Sequence, residues 1–142
     1  MNFVEAVNSC LRQPFTFSGR SARSEYWYFA LFQVSYTLID KIALHFMNQA
    51  ILKAHHDLNM LLLCVAGSLI SVVLTFWIGF SSLSVYIRRL HDRDRSGYWW
   101  WVGLTIIGAI FPLLVWTCRK GTEGPNRYGP DPLQEADGNM IR

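Results

Sequence analysis

Charge is scarce in this sequence, and it is absent over long stretches. Only 16% of the 142 residues are charged, whereas soluble domains average about 25%. Residues 58–87 and 96–118 contain no charged residue at all. A membrane-spanning helix needs about 20 mostly apolar residues. Two such runs in so short a chain argue against a water-soluble fold and predict a small integral membrane protein.

Paired cysteines, a phosphate-binding loop and a secretory signal are also missing. Cys10, Cys64 and Cys118 form no CxxC motif, so we expect packing residues and no disulfide framework. No glycine-rich phosphate loop occurs, and residues 1–17 lack the apolar core of a signal peptide. The net charge of +3 suits anionic lipid headgroups better than nucleic acid. We expect no nucleic-acid partner and no cofactor.

The pattern of apolar residues predicts an all-α fold. We expect a small polytopic membrane helical bundle with three transmembrane helices, a short N-terminal amphipathic helix and an irregular C-terminal tail. One integral membrane domain covers 1–132, and a flexible tail covers 133–142. Phe3, Val7 and Leu11 recur at helical spacing, so the amphipathic helix either lies in the headgroup plane or packs on the protein. The predicted elements are the amphipathic helix, about 2–13, and the spans, about 26–46, 60–81 and 98–118.

The first predicted span contains two charged residues, Asp40 and Lys41. An intramembrane charge is a functional hypothesis by default. Asp40, however, lies roughly 21 Å beyond Tyr26 and therefore near the far end of a 30 Å core. We interpret both as helix-end charges. We expect 47–57 to be a solvated loop, because His55 and its neighbouring histidines lack the spacing of zinc ligands.

A stripe of small residues marks the second predicted span. Gly67, Ser71, Thr75 and Gly79 recur every four residues. On a helix they form one narrow face that lets another backbone approach closely. We favour packing within the chain over a homo-oligomer formed through this stripe, and both alternatives stay open.

Polar residues concentrate in 20–28 and 88–101. Arg20 and Arg23 share a helical face, and Arg88 and Arg89 can each pair with Asp92. These residues form either an interfacial anchor with the neighbouring aromatics, or a cluster that binds an anionic headgroup or a partner. The candidate residues of that cluster are Arg20, Arg23, Glu25, Trp27, Arg88, Arg89, His91 and Asp92.

The topology has two alternatives. Three spans place the termini on opposite sides of the membrane, and the arginine count favours a cytoplasmic N-terminus. A re-entrant hairpin for 98–118, turning near Gly108, would instead bring every arginine-rich block to one face. Such a hairpin needs cover from the protein, because its backbone polar groups must be satisfied at membrane depth.

Three blocks of the sequence resemble a known family. They are FSGRSARSEYWYFALF, RRLHDRDRSGYWW and KGTEGPNRYGPDP. In this order they are similar to the signature blocks of the YhaH/YhaI-type bacterial inner-membrane proteins, which are known as the domain of unknown function 805 family. The resemblance covers about 15–132. It implies a multi-pass protein of the bacterial inner membrane and implies no activity.

Two classes of function follow. The first is a non-enzymatic membrane module that binds anionic lipid or a partner protein through a basic and aromatic interfacial face. The second is a small membrane enzyme or transport subunit that uses a polar cluster. Convergence of the cluster with a histidine in an enclosed pocket would favour the second class, and a spread along the interface would favour the first. The residues of the second class are Arg20, Arg23, Glu25, Arg88, His91 and Asp92.

Overall fold

The computed structural model describes residues 1–53, 57–104 and 114–134. In these ranges all regular structure is helical, with one isolated bridge between Asn126 and Gly129. This agrees with the predicted all-α class. The flexible tail predicted at 133–142 falls almost entirely outside the described residues. The helices are α1 Phe3–Arg12, α2 Arg23–Lys53, α3 Leu58–His91, a 3-10 helix Gly97–Leu104 and α4 Leu114–Cys118.

Helix α1 begins at a reciprocal cap. The Glu5 backbone N–H donates to the Asn2 side-chain oxygen at 2.9 Å, and the Asn2 backbone N–H donates to the Glu5 carboxylate at 2.9 Å. Two N–H groups that the first turn cannot satisfy are thereby satisfied. The helix is followed by Gln13 and Pro14, in keeping with the predicted limit of about 13.

Helices α2 and α3 form an antiparallel hairpin and are longer than the predicted spans. Within the described ranges, α3 is the one helix both long and apolar enough to cross a membrane. Its 34 residues measure about 51 Å, more than a hydrocarbon core of about 30 Å. Helix α2 continues through Lys53, so most of the loop predicted at 47–57 is helix. This stretch contains no glycine or proline to end the helix.

The small-residue stripe of α3 faces α2. The Ser71 hydroxyl donates to the Asp40 carboxylate at 2.6 Å. The Thr75 hydroxyl lies 3.3 Å from the Tyr36 hydroxyl. A Cβ added at Gly67 would lie 3.1 Å from the Met47 sulfur, a close approach that glycine permits. Hydrogen bonds between membrane helices contribute about 0.6–1.7 kcal/mol each.

Gly79 is the fourth residue of the stripe, and Asp40 is one of the two charged residues of the first predicted span. Gly79 has open space around it within the described residues. Asp40 was predicted to be a helix-end charge, and that prediction is wrong. Because α2 continues to Lys53, the Asp40 carboxylate lies about 20 Å before the helix end and bonds to the middle of α3.

Large apolar side chains cover the outside of the hairpin. Only 11% of the most apolar stretch of α3 is buried within the protein, whereas a core helix of a soluble protein would be mostly buried. Leu38 and Ile39 on α2 and Leu63 and Val73 on α3 are all more than half exposed. An apolar surface of this extent on α3 is typical of a helix that faces hydrocarbon.

Helix α1 and the segment after it pack on the end of the hairpin where α2 begins and α3 ends. The Ser84 hydroxyl bonds to the carbonyl oxygens of Gln13 and Thr16, at 3.1 and 2.6 Å. The Trp77 indole N–H donates to the Leu11 carbonyl at 3.2 Å. Helix α1 therefore packs on the protein. It can also lie in the headgroup plane, because Val4 on its outer edge is 72% exposed.

The described residues do not confirm a third span at 98–118. Residues 105–113, including the turn considered near Gly108, lie outside the described part of the chain. The flanking residues are described, and both contact the last turn of α3. Gly97 adjoins Ile87, and the Arg119 carbonyl accepts a hydrogen bond from Arg89. The described flanks of the predicted third span therefore both lie at the end of the hairpin where α3 ends.

The hydrogen bonds of Ser84 predict a measurable contribution to stability. Ser84→Ala should lower the free energy of unfolding by about 1 kcal/mol, because it removes the buried hydroxyl that links α3 to the carbonyl oxygens of Gln13 and Thr16. Ser68→Ala is the matched control, since among the described residues the Ser68 hydroxyl bonds only to the Cys64 carbonyl of its own helix. It should change the free energy of unfolding by less than about 0.5 kcal/mol. Denaturant unfolding in detergent measures both values. Equal losses would contradict the proposed role of Ser84.

Candidate functional site

A buried carboxylate lies between two buried guanidinium groups at the end of the hairpin. The Asp92 carboxylate accepts from Arg20 Nε at 2.9 Å, and Arg20 Nη2 lies 2.8 Å from the same oxygen in an ion pair. Its other oxygen accepts from Arg89 Nη1. Asp92 caps the C-terminus of α3, so Arg89 reaches it across three residues of one helical turn. Arg20 comes from the segment before α2.

The end of α4 and the C-terminal loop that follows it, residues 119–132, supply carbonyl oxygens to the remaining N–H donors of Arg20 and Arg89. Arg20 donates to the carbonyls of Thr122 and Gly124, each at 2.6 Å. Arg89 donates to the Thr117 carbonyl at 3.3 Å and to the Arg119 carbonyl. Arginine carries five N–H donors in a rigid fork. These two arginines therefore tie the loop to both the N-terminal segment and α3.

The loop is bonded back to α3 at the same point. The Thr122 backbone N–H and hydroxyl both donate to the Asp92 carbonyl, at 2.9 and 3.1 Å. A Cβ at Gly121 would overlap the Asp92 carboxylate, so only glycine lets the loop come this close. Asn126 adds a bond to the His91 carbonyl at 3.0 Å.

A second charged pair lies beneath α1. Arg88 Nη1 is 3.8 Å from the Glu25 carboxylate. That carboxylate also accepts from the hydroxyls of Ser9 and Ser21, at 3.0 and 2.7 Å. Burial raises the pKa of the neighbouring Cys10 thiol to about 12, with a further contribution from the negative charge of Glu25. The thiol therefore stays protonated at neutral pH.

His91, the histidine among the candidate residues, lies away from the two buried charged pairs. The His91 ring stacks on Tyr128, with centroids 3.9 Å apart, and its Nδ1 lies 3.3 Å from the Gly19 carbonyl. Outside this stack, Arg127 pairs with Asp94 at 2.8 Å. His91 thus orders the loop and does not share the enclosed space of the two charged pairs.

The structure brings together five of the eight candidate residues. Arg23 and Trp27 are exposed and lie outside the buried pairs, and His91 forms the outer stack. The cluster therefore neither fans out along the interface nor encloses a histidine. A cavity of about 260 Å³ adjoins Arg89 and Asp92, and no histidine lines it. The five residues that come together are Arg20, Glu25, Arg88, Arg89 and Asp92.

Sequence reasoning missed the residues of the loop. Gly121 and Thr122 complete the environment of Asp92, whereas the turn-forming residues after 118 predicted only a non-helical loop or tail, without its contacts. A signal was present, because this stretch is one of the three blocks on which the resemblance depends. Turn-forming residues alone do not show which groups a loop contacts.

Removing the shared carboxylate should destabilise the fold strongly. Asp92→Asn leaves two buried guanidinium groups without their counter-charge and should cost about 3–5 kcal/mol. Asp94→Asn is the matched control, since Asp94 and its partner Arg127 are exposed, and should cost at most about 1 kcal/mol. Unfolding in detergent tests the pair of variants. Similar stability of the two would show that the Asp92 ion pairs are not needed.

Comparison with known proteins supports the resemblance in the sequence. Residues 14–130 match the family described as protein of unknown function, DUF805. The chain is 36% identical over 121 residues to the inner membrane protein YhaH of Escherichia coli K12, covering 84% of this chain and 88% of that protein. It is 38% identical over 124 residues to the inner membrane protein YhaI of the same strain, covering 87% and 92%. No solved structure matches the chain. The chain therefore belongs to the DUF805 family of membrane proteins.

Proposed function

We propose that this protein is a non-enzymatic inner-membrane module that holds anionic lipid headgroups on its cytoplasmic face. In this proposal α2 and α3 both span the membrane, and the segments before α2 and after α3 lie on one side. The names of the relatives support the inner membrane as its location. The rest of the proposal depends on the distribution of charge and aromatic residues.

Most of the basic residues belong to one end of the hairpin. The buried network fixes the N-terminal segment and the C-terminal loop at the end of α3, so their arginines share that end. Positively charged residues near spanning helices are enriched on the cytoplasmic side. This distribution supports the re-entrant alternative for 98–118 over three spans. The basic residues concerned are Arg12, Arg20, Arg23, Arg88, Arg89, Arg93, Arg95, Arg119, Lys120 and Arg127.

The observation that carries the proposal is a set of exposed arginines without carboxylate partners. Within the described residues, Arg12, Arg23 and Arg119 are exposed and form no ion pair, whereas Lys120 and Arg127 each pair with a carboxylate. The guanidinium groups of Arg20 and Arg89 already bind Asp92 and backbone carbonyls within the protein. Headgroup contact therefore falls to the exposed, unpaired arginines, a change from the predicted cluster.

Aromatic side chains accompany these arginines. Tyr98 is 82% exposed, and Trp27 and Trp99 are about two-fifths exposed at the same end of the hairpin. Amphipathic rings favour the headgroup level of a bilayer, where basic side chains meet phosphate groups. The enzyme alternative gains no support from the described residues, because His91 stands apart from the buried charged pairs.

Neutralising the unpaired arginines should weaken lipid retention. An exposed basic residue near an anionic surface contributes about 1 kcal/mol, so Arg23→Gln with Arg119→Gln should lower the affinity for phosphatidylglycerol about tenfold or more. The matched control, Lys120→Gln with Arg127→Gln, removes the same charge from residues that already have partners. Native mass spectrometry in mild detergent counts the retained lipids. An unchanged count in the first variant, or equal losses in both, would contradict the proposal.

A further inference from the structure

The buried charges at the end of the hairpin do not balance. Three buried guanidinium groups, those of Arg20, Arg88 and Arg89, share the carboxylates of Glu25 and Asp92, and none of the five side chains belongs to a residue more than 9% exposed. Buried charges are costly unless they are paired. One positive charge in this network therefore lacks an anion.

Asp131 does not supply the missing anion. Its carboxylate, also buried, accepts from the backbone N–H groups of Gly124 and Leu133 at 3.2 and 3.0 Å. Among the described residues it takes part in no ion pair. The surplus positive charge thus remains in the network of three arginines.

The surplus falls on Arg88. Within the described part of the chain, its Nε and Nη2 atoms are buried and have no hydrogen-bond partner. Its one ion pair, to Glu25, is long at 3.8 Å, and the Glu25 oxygens already accept from Ser9 and Ser21. A buried charged donor without a partner is rare in native proteins and indicates a missing ligand or solvent molecule.

Helix α1 covers this side chain. Ser9 and Cys10 on its inner face contact the Glu25 carboxylate, and Ala6 and Cys10 are fully buried. The outer edge of the helix exposes Phe3 and Val4. An amphipathic helix with a free apolar edge can move along or into a membrane surface. Movement of α1 would expose Arg88 from that side.

We propose that Arg88 is a recessed binding site for a phosphate group and that α1 opens to admit it. The guanidinium fork matches two phosphate oxygens, and the unpartnered Nε and Nη2 lie side by side to donate to them. The phosphate comes from an anionic lipid headgroup or from free phosphate. The lipid source rests on the proposed function, whereas the Arg88 site itself does not.

Cys10 reports the opening directly. A variant with Cys64→Ala and Cys118→Ser leaves Cys10 as the single thiol. Its alkylation by N-ethylmaleimide is measured in nanodiscs of phosphatidylcholine, in the same nanodiscs with inorganic phosphate, and in nanodiscs of equal parts phosphatidylcholine and phosphatidylglycerol. The anion that occupies Arg88 should raise the alkylation rate about tenfold, within the usual range of coupling between sites. A rise with phosphatidylglycerol alone identifies the headgroup, and a rise with phosphate identifies the free anion.

Three variants separate anion binding from loosening of α1. Arg88→Gln should abolish the rise, and Arg88→Lys should keep part of it, with melting temperatures measured to show that both fold. Ser9→Ala should raise alkylation equally in every bilayer, because it weakens the cover without removing the site. Equal rates in all three preparations, or a rise that persists in Arg88→Gln, would overturn the proposal. Lipid counts from native mass spectrometry on the same samples show whether the proposed function stands when this inference fails.

Discussion

The carboxylate of Asp92 determines how three separate parts of the chain meet. It ends α3, pairs with Arg89 of the same helix and with Arg20 from the segment before α2, and lies against Gly121 of the loop after α4. A carboxylate with two buried guanidinium partners is stable only when the remaining donors are also satisfied. The carbonyl oxygens of the loop provide that satisfaction. The loop is thus part of the network and not a free tail.

This network has consequences for the arrangement in the membrane. It holds Arg119 at the end of α3, where Gly97 also lies against Ile87, so the described residues on both sides of 98–118 are at that end. It also binds the guanidinium groups of Arg20 and Arg89, which are therefore not available to lipid headgroups. The basic residues left exposed, such as Arg23 and Arg119, lie around the network at the same end. Charge near the membrane is therefore divided between an internal structural role and the proposed contact with headgroups.

The sequence predicted the membrane class and the helical fold well, because long uncharged runs admit few other solutions in lipid. It also placed Arg89 and Asp92 within pairing distance, since that contact is local to one helical turn. The ends of α2 and α3 were predicted poorly. No glycine or proline separates the apolar part of α2 from Lys53, and helix formers continue a helix beyond its apolar part.

Contacts between segments distant in the chain could not be predicted from the sequence. Arg20 and Asp92 are 72 residues apart. The local sequence around either residue does not indicate that it contacts the other. The same holds for Asp40 and Ser71, which each belong to a predicted span but whose hydrogen bond depends on the register of the hairpin. The stacking of His91 on Tyr128 likewise follows only once the loop is placed.

The most direct test asks which side of the inner membrane each segment occupies. Single cysteines are introduced by Asn8→Cys, Glu123→Cys and, in the first turn of α3, Asn59→Cys, in a protein whose native cysteines have been replaced. Spheroplasts are then treated with a membrane-impermeant maleimide. If the Asp92 network holds the N-terminal segment and the loop after α4 at the cytoplasmic end, only Asn59→Cys is labelled before the membrane is disrupted. Labelling of Asn8→Cys and Glu123→Cys from opposite sides would contradict the network and the topology together.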